Sequence, residues 1–409
     1  MSCEDALNTI IEYWKYALDD KYDIVSIFLD LKKAFDSIEH SLIIEKLKFY
    51  SFSEKAINLI VNYLENIFYQ VKVEDSLGPK QAIDLGVPQG AVLGPLLFII
   101  YMNDINMLKL QSPLILFADD STISFKGKDA SEFNYLIQKD LALISEWLNH
   151  NRLVINWEKT NFMSIVNSKF NKKNYVDISI NFDGHVLERV KETKLLGVII
   201  DEELKFDKQV SNTCIKANYK SKLISRSFYL FNLKFRATLF KLFIIPNFDY
   251  CSTLITTVNS IALSAQNHNI IRLTKCFNYN LKIFINVDLF KYDNDLEKQL
   301  QILKPFNIFP LNIRLFWRYY SYVLGLFTNR KNTILLNNFI VNERLSSRNF
   351  FKLPNFKSSW GSRSLRNIAT KLANKYKFNL ANGNSKLLYL KYLNKFIFEN
   401  FESCSNFFE

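Results

Sequence analysis

The first part of the chain alternates between apolar positions at helical spacing and apolar positions at strand spacing. A helical period over residues 4–18 predicts a first helix, and the continuous apolar run from Ile24 to Leu29 predicts a buried strand that ends at Asp30. Helical spacing returns over residues 33–50 and again over residues 53–68. The pattern therefore predicts a body in which helices and strands are mixed.

A loop, a helix and a hairpin follow. Residues 86–90 contain two glycines and a proline, which predicts a loop, and Gly94 with the proline after it opens an apolar helix. In residues 114–125, two β-prone runs flank Asp119 and Asp120, so we expect a hairpin with both carboxylates at its turn. A purely local turn role is the alternative, because Asp side chains bond nearby backbone in turns.

The pattern changes near residue 201. Residues 132–148 have the apolar stripe of an amphipathic helix, and residues 195–200 predict one more strand, interrupted by Gly197. Beyond about Asp201 the spacing is helical. We therefore expect a mixed α/β body followed by a helical C-terminal part.

Composition and charge indicate a globular protein with a polyanionic partner. The chain has 409 residues, of which 48% are hydrophobic and 22% charged, and its 52 Lys and Arg exceed its 40 Asp and Glu by 12. Such an excess favours phosphate-rich partners through counterion release.

The five cysteines are scattered, which argues against a disulfide framework or a zinc knuckle and favours a reducing, intracellular setting. Since no apolar run reaches about 18 residues, we expect no membrane span.

Two predicted strands end in carboxylates. One delivers Asp30, and the other delivers Asp119 and Asp120. If these strands are neighbours in one sheet, three carboxylates converge at one edge and form an oxygen-rich site suited to Mg²⁺. Two such ions about 4 Å apart support nucleotidyl transfer, because they activate a hydroxyl and stabilise a leaving pyrophosphate. For Asp30 alone, an ordinary helix-capping role is the alternative.

Several motifs occur in a fixed order along the chain. They are Phe28-Leu29-Asp30-Leu31-Lys32-Lys33-Ala34-Phe35-Asp36, Gly86-Val87-Pro88-Gln89-Gly90 with Gly94-Pro95-Leu96-Leu97-Phe98, Phe117-Ala118-Asp119-Asp120, Trp147-Leu148 to Lys159-Thr160, Leu195-Leu196-Gly197-Val198, and Ile245-Pro246-Asn247-Phe248-Asp249-Tyr250-Cys251. Together they resemble the polymerase core of reverse transcriptases, specifically those of non-LTR retrotransposons of the jockey type. Each motif alone is weak, whereas the ordered combination over residues 4–255 is highly specific.

The resemblance implies an α+β fold with a right-hand polymerase palm, in which helices flank an antiparallel sheet, followed by a mostly α-helical thumb and C-terminal region. The expected domains are a remnant of the fingers with the first helix (1–22), the palm (23–204), the helical thumb (205–265) and a helical C-terminal region of unknown role (266–409). The implied activity is RNA-directed DNA polymerisation, with Mg²⁺ or alternatively Mn²⁺, an RNA template with a DNA primer, and deoxynucleoside triphosphates. The implied location is the nucleus, the cytoplasm or both.

The resemblance also implies catalytic roles by position. Asp30 and Asp119 resemble the metal ligands, Asp120 a carboxylate that supports the charge of the site, and the backbone carbonyl of Leu31 a group that completes a metal shell. Lys159 resembles the cation, and general acid, at the leaving pyrophosphate. A solvated surface lysine is the alternative for Lys159.

Other positions match residues that contact nucleotide and primer. Phe35 resembles the steric gate that excludes a ribose 2′-hydroxyl, and a core aromatic is its alternative. Gln89 and Gly90 resemble nucleotide-binding residues, although such a loop is also a common plain turn. Leu196 and Gly197 resemble a primer-contacting turn, the primer grip.

A basic stretch beyond residue 205 resembles the thumb that holds the template–primer duplex. A solvated helix face is the alternative for its charged residues, which are Lys216, Lys220, Lys222 and Arg226. Asp36 and His40 also match the family pattern, and helix capping or packing explains them equally well.

Two hypotheses of different class follow. The first is a metal-dependent reverse transcriptase, either a fragment of a longer product or a chain with partner-supplied fingers. Only 29 residues precede Asp30, so the resemblance implies that the fingers and the endonuclease lie elsewhere. The second is a catalytically silent, truncated remnant that only binds RNA or DNA. Without the triphosphate clamp of the fingers, we expect weak nucleotide binding.

Overall fold

The computed structural model describes residues 2–65, 67–82, 85–88, 90–166, 178–255, 268–292, 295–329, 357 and 365. They form two compact units, which we call the sheet unit (residues 21–192) and the helical unit (residues 1–20 with 193–409). These units divide the chain at residues 20 and 192, whereas the predicted palm spans residues 23–204. The polymerase subdomains assigned to the segments stay predictions.

The elements follow one another in a mixed order. In chain order they are α1 (Cys3–Asp19), β1 (Asp23–Leu29), α2 (His40–Phe49), α3 (Glu54–Glu65), β2 (Phe68–Tyr69), β3 (Lys72–Val73), β4 (Ser76–Leu77), β5 (Gln81–Ala82), α4 (Leu93–Met102), β6 (Leu114–Phe117), β7 (Asp120–Gly127), α5 (Ala130–His150), β8 (Asn161–Ile165), β9 (Asn181–Phe182), β10 (His185–Val186), β11 (Glu188–Arg189), β12 (Glu192–Leu195), β13 (Val198–Asp201), α6 (Asp207–Ser225), α7 (Leu233–Leu239), α8 (Ile245–Asp249), α9 (Ser252–Ile255), α10 (His268–Ile285), α11 (Leu296–Leu303) and α12 (Leu311–Asn329). Short 3₁₀ helices span Ala34–Ser37, Asn103–Met107, Phe228–Leu230, Leu289–Tyr292 and Lys304–Phe306, and a π-helix spans Phe240–Ile244. The predicted α+β class is confirmed.

A five-stranded sheet organises the sheet unit. Its strands lie in the order β11-β8-β1-β7-β6, and each pair is antiparallel except β11 with β8. All seven residues of the central strand β1 are buried, so its continuous apolar run reflects a strand covered on both faces. Within the strand, the Ser26 hydroxyl forms a 2.7 Å hydrogen bond with the Ser124 hydroxyl of β7. Burying this polar group is tolerated because it has a partner.

The helices of the sheet unit share one hydrophobic core with this sheet, and α5 packs on strand β7. On α5 the stripe is Phe133, Ile137, Leu141 and Ile144, each no more than 4% exposed. The spacing of three and four residues puts these side chains on one helix face. The amphipathic helix predicted over residues 132–148 is confirmed by α5.

The single helix predicted over residues 33–50 is wrong. The structure has a 3₁₀ helix at Ala34–Ser37 and then α2, separated by extended backbone. The cause is a contact distant in sequence: the Gly86 N–H donates to the Ile38 carbonyl at 2.7 Å, and Glu39 bridges to Leu85. The backbone polar groups of Ile38 and Glu39 are therefore hydrogen-bonded to this loop instead of within a helix.

Asp140 on α5 anchors the segment that enters β6. The carboxylate is fully buried and accepts the backbone N–H groups of Gln111 and Ser112, each at 2.9 Å. Asp140→Ala would leave two N–H groups without an acceptor, so we expect the free energy of unfolding to fall by about 2–4 kcal/mol in urea denaturation. Glu146→Ala, on the exposed side of the same helix, should change it by less than about 0.5 kcal/mol. Equal losses in the two variants would contradict this role.

In the helical unit, α6 packs closely on α10. The buried stripe of α6 consists of Val210, Thr213, Ala217 and Ser221. Facing it, the buried Asn280 accepts from the Ser221 hydroxyl and donates to the Asn218 side-chain oxygen at 2.9 Å. The small residues of this stripe let the backbones of α6 and α10 approach each other. The side-chain amides of Asn218 and Asn280 are hydrogen-bonded to each other. The opposite face of α6 is left exposed.

Helix α1 belongs to the helical unit. It begins with a capping box, in which the Ser2 hydroxyl and the Asp5 carboxylate satisfy each other's backbone N–H groups. The Thr253 hydroxyl donates to the Glu4 carboxylate at 2.7 Å and accepts from the Asn8 amide at 3.0 Å. The helix predicted over residues 4–18 is confirmed, and its assignment to a fingers remnant stays a prediction.

The strand predicted over residues 195–200 is in fact two strands joined by a turn. β12 ends at Leu195 and β13 begins at Val198. Leu196 and Gly197 have φ of +46° and +80°, which extended backbone does not allow.

Among the described residues, no helix is long and apolar enough to cross a membrane.

Candidate active site

Asp30 lies directly after the central strand and is held by the segment that precedes β8. Its backbone N–H donates to the Thr160 hydroxyl at 3.2 Å, and its carbonyl accepts from the Asn156 N–H at 2.8 Å. The Asn156 amide donates to carboxylate Oδ2 at 2.9 Å, and Lys159 Nζ lies 3.8 Å from the same oxygen. Asp30 therefore has a fixed backbone and a carboxylate turned toward Asn156 and Lys159.

The Lys159 ammonium is held only weakly. Its side chain is 70% exposed, and an ion pair at 3.8 Å in water contributes little. The ammonium can therefore turn toward another anion in front of Asp30. Asn156, which is three residues before Lys159 in the same turn, was not predicted as a site residue, because an Asn in a turn carries no distinctive sequence signal.

The second carboxylate segment is the turn between β6 and β7. Phe117 and Asp120 are register partners, so Ala118 and Asp119 form a two-residue turn. Ala118 has φ of +54°, an uncommon conformation for a residue other than glycine, and such residues cluster at functional sites. The predicted hairpin is present, with Asp119 in the turn and Asp120 as the first residue of β7.

The register of the sheet brings the carboxylates to one edge. β1 and β7 pair Leu29 with Ser121, and continuing this register sets Asp30 level with Asp120. Burial, followed by the charges of Asp119 and Asp30, raises the pKa of Asp120 above its ordinary value. The three carboxylates therefore act on one another electrostatically, as the sequence analysis expected of strands that are neighbours.

A pocket of about 360 Å³ opens in front of these groups. The residues of interest that line it are Asp30, Leu31, Phe35, Asp119, Asn156 and Lys159. Asp120 does not line it. The fold thus brings one catalytic candidate from each of three separate motifs to one pocket.

The donor chemistry of this pocket fits a hard divalent cation, because carboxylate oxygens are the ligands such ions prefer. After burial, the charges of Asp119 and Asp30 contribute to the raised pKa of Asp120, and a cation would offset that contribution. As the side chains stand, no group of three or more His, Cys, Asp and Glu residues in the described part of the chain could hold a metal ion. The ligand roles of Asp30, Asp119 and Asp120 stay predictions.

The Leu31 backbone is placed by a bridge to Ile155. The flanking residues make the hydrogen bonds of this bridge, with Lys32 N–H donating to the Val154 carbonyl at 2.8 Å and the Asp30 carbonyl accepting from Asn156. The bridge therefore does not use the Leu31 carbonyl. That carbonyl is compatible with the predicted role in a metal shell.

Phe35 both packs on the core and lines the pocket. Its ring stacks on the Phe98 ring of α4, with centroids 4.4 Å apart and an angle of 27° between the ring planes. Phe98 is only 1% exposed, so it gives Phe35 a rigid backing. The two alternatives for Phe35, a core aromatic and a gate beside the nucleotide site, are compatible in this geometry. The sequence analysis did not predict Phe98 as a supporting residue.

The loop at residues 85–90 is docked on the segment that carries Phe35. The Val87 N–H donates to the Phe35 carbonyl at 3.0 Å, and the His40 Nε2 lies 2.8 Å from the Gly86 carbonyl. A Cβ at Gly86 would lie 2.8 Å from the Asp36 Cα. The loop and the Asp30 segment therefore form one packed assembly, in which His40 and Asp36 are packing residues.

Gly86 and Gly90 provide a matched pair of variants. Both have positive φ, +83° and +86°, but Gly86 abuts Asp36 while a Cβ at Gly90 would meet nothing within 4 Å. We expect Gly90→Ala to lower the free energy of unfolding by about 1–2 kcal/mol through backbone strain alone. Gly86→Ala should cost a further 1–3 kcal/mol or so, because the backbone of Asp36 must move. Urea denaturation of both variants measures the difference, and equal losses would show that the loop is not docked.

Of the remaining predicted residues, one is not among the described residues and the others do not line this pocket. Gln89 is outside the described residues, and Gly90 lies at the open end of the loop. The turn of Leu196 and Gly197 belongs to the helical unit. So does the exposed basic face of α6, with Lys216, Lys220, Lys222 and the capping residue Arg226.

Comparison with known proteins gives the family. Residues 3–200 match the family described as reverse transcriptase (RNA-dependent DNA polymerase). The chain is 28% identical over 255 residues to the "Probable RNA-directed DNA polymerase from transposon X-element" of Drosophila melanogaster, covering 60% of this chain and 27% of that protein. It is 24% identical over 233 residues to the "RNA-directed DNA polymerase from mobile element jockey" of the same species, covering 55% and 25%. The chain therefore spans about a quarter of the length of these relatives.

Among solved structures, apo telomerase from Candida tropicalis aligns with a TM-score of 0.36 and 14% identity, over 73% of this chain and 56% of that one. Through residues 3–200, the chain therefore matches the reverse transcriptase family, and its curated relatives are RNA-directed DNA polymerases of a transposon and a mobile element.

Proposed function

We propose that this chain is an RNA-directed DNA polymerase, which extends the 3′-hydroxyl of a DNA primer along an RNA template with deoxynucleoside triphosphates. The observation that carries the proposal is the meeting of Asp30, Asp119 and Lys159 at one pocket, within the part of the chain that matches the reverse transcriptase family. Two carboxylates can hold the divalent cations of nucleotidyl transfer, and a lysine can serve as the acid for the leaving group. We further propose an intracellular location, in the nucleus, the cytoplasm or both.

The residues of the pocket have distinct tasks in this proposal. Asp30 and Asp119 hold divalent cations, Mg²⁺ or alternatively Mn²⁺, with Asp120 adding negative charge and the Leu31 carbonyl a further oxygen. When bound, such ions stabilise the attacking and leaving oxygens of an in-line displacement. Asn156 keeps the Asp30 carboxylate oriented through its 2.9 Å hydrogen bond. Lys159, exposed and weakly paired, turns toward the triphosphate and donates a proton to the leaving pyrophosphate.

Phe35 selects the sugar in this proposal. Phe35 lines the same pocket as Asp30, and the stacked Phe98 ring backs the Phe35 ring. A ribose 2′-hydroxyl would meet the ring, so deoxynucleotides are preferred by steric exclusion. Gly90, at the open end of the loop, and Gln89, which is outside the described residues, approach the same nucleotide in this proposal.

The exposed face of α6 binds the template–primer duplex in this proposal. Alongside its basic residues it exposes Tyr219 and Leu223, which are 64% and 44% exposed. A face that combines cations with apolar side chains suits a nucleic acid surface, since phosphates attract the cations and sugars contact the apolar groups. Such contacts would be independent of sequence and sensitive to salt.

Primer extension tests the proposal directly. The purified chain is incubated with a DNA primer annealed to an RNA template, deoxynucleotides and Mg²⁺, and the products are resolved by length. The Asp119→Asn/Asp120→Asn double variant is the control, and duplex binding is measured in parallel for both proteins. Extension that the control lacks supports the proposal. Duplex binding without extension would instead support the catalytically silent, nucleic-acid-binding alternative.

A further inference from the structure

The segment after the polymerase motifs, residues 246–253, connects several elements of the helical unit. Asn247 accepts from the Lys220 ammonium of α6 at 2.9 Å. Asp249 binds Arg314 of α12 in a bidentate ion pair, with distances of 2.7 and 2.5 Å. Thr253 bonds Glu4 of α1. The resemblance placed this segment after the core without giving it a task, and these contacts make it a rigid support.

Within this segment, Tyr250 reaches the turn between β12 and β13. Its hydroxyl donates to the Leu196 carbonyl at 2.6 Å. A Cβ added at Gly197 would lie 3.4–3.7 Å from atoms of the Tyr250 side chain, so the Tyr250 side chain lies beside Gly197 as well. Tyr250 therefore bonds one residue of the turn and lies beside the other.

The turn needs such a support because of its backbone. Leu196 adopts φ of +46°, which a residue with a branched side chain rarely adopts. Strained turns persist only when the surroundings hold them. Partial burial raises the pKa of the Tyr250 hydroxyl, so it remains a protonated donor to Leu196 at neutral pH.

We propose that Tyr250 is a positioning residue, which fixes the Leu196–Gly197 turn in the shape that contacts the primer strand. The inference rests on the proposed function and on the resemblance of Leu196 and Gly197 to the primer grip of that family. It also explains the composition of the segment: Asn247 holds Lys220 of the basic α6 face while Tyr250 holds the turn. Residues 246–253 thereby set two nucleic-acid contacts of the helical unit from one support.

The test is Tyr250→Phe, which removes the hydroxyl and keeps the ring. The full chain is measured for its dissociation constant with a primer–template duplex, for KM with primer and with deoxynucleotide, and for kcat. We expect duplex affinity to fall and primer KM to rise by about threefold to tenfold, the effect of one lost hydrogen bond, with deoxynucleotide KM and kcat unchanged. Tyr250→Leu, which also removes the ring from Gly197, should weaken primer binding further.

Tyr229→Phe is the matched control, because Tyr229 lies in the same unit and is 83% exposed. It should leave every parameter unchanged, and thermal unfolding verifies that all variants are folded. Unchanged duplex affinity in Tyr250→Phe, or an equal loss in all kinetic parameters, overturns the inference. If the wild-type chain binds the duplex without extending it, the proposed function fails while the affinities of the variants still decide the role of Tyr250. If the wild-type chain binds no duplex, both fail.

Discussion

We expect Asp30→Asn and Asp119→Asn each to reduce the proposed primer extension by at least about 10³-fold. Asn keeps the shape of the side chain and removes the charge that holds a divalent cation, and the loss of several kcal/mol of transition-state stabilisation corresponds to this factor. Asp120→Asn should cost less, about tenfold, because Asp120 does not line the pocket and contributes through its charge. The measurement is the single-turnover rate of extension at saturating primer and Mg²⁺.

Measurements of melting temperature and duplex affinity distinguish a loss of catalysis from a loss of the folded structure. Asp119→Asn removes one of the charges that raise the pKa of Asp120, so its melting temperature without Mg²⁺ should equal or exceed that of the wild-type chain. Duplex affinity should be retained. Asp75→Asn, in the exposed hairpin of β3 and β4, serves as the control and should extend primers normally. Extension by Asp30→Asn at the wild-type rate would falsify the assignment of Asp30.

We expect Phe35→Ala to raise ribonucleotide incorporation relative to deoxynucleotide incorporation by about 10- to 100-fold. In the proposed function Phe35, which lines the same pocket as Asp30, is the group that a 2′-hydroxyl would meet, and discrimination by one steric contact in a pocket has this size. The measurement is the ratio of kcat/KM for a ribonucleoside triphosphate to that for its deoxy counterpart. Deoxynucleotide incorporation should continue.

Phe98→Leu gives a graded test of the same gate. It removes the stacked ring behind Phe35 and leaves Phe35 in place, so the ribonucleotide ratio should rise by less than it does in Phe35→Ala. Phe49→Ala, at a position 64% exposed, is the control and should leave the ratio unchanged. A Phe35→Ala chain that still rejects ribonucleotides would show that the ring serves the core alone.

The sequence predicted elements well where burial repeats with a fixed period. The stripe of α5 and the continuous run of β1 are both encoded residue by residue, because a helix face repeats every three to four positions and a doubly covered strand is apolar throughout. Prediction failed at residues 33–50 and 195–200. In the first case the backbone bonds to Gly86, far along the chain, and in the second a two-residue turn with positive φ at Leu196 and Gly197 divides the run.

The same division applies to the candidate site. Asp30, Asp119, Phe35 and Lys159 were found from motif order, and the structure places all four at one pocket. Asn156 and Phe98 were not predicted to act on the Asp30 and Phe35 side chains. A hydrogen bond from an amide in a turn, or a ring stacked from a helix more than sixty residues away, leaves no periodic mark in the sequence.

By itself, the sequence determined which reactive groups are present and in which order the motifs occur, and thereby the family match. Both depend only on residue types and their spacing along the chain. Only the tertiary structure decided which side chains meet and what holds them: the register that sets Asp30 level with Asp120, the Gly86 contact that breaks a helix into two, and the Tyr250 hydroxyl on the Leu196 carbonyl. The physical reason is that such contacts join residues between 50 and 130 or so positions apart, and their free energy exists only once the chain is folded.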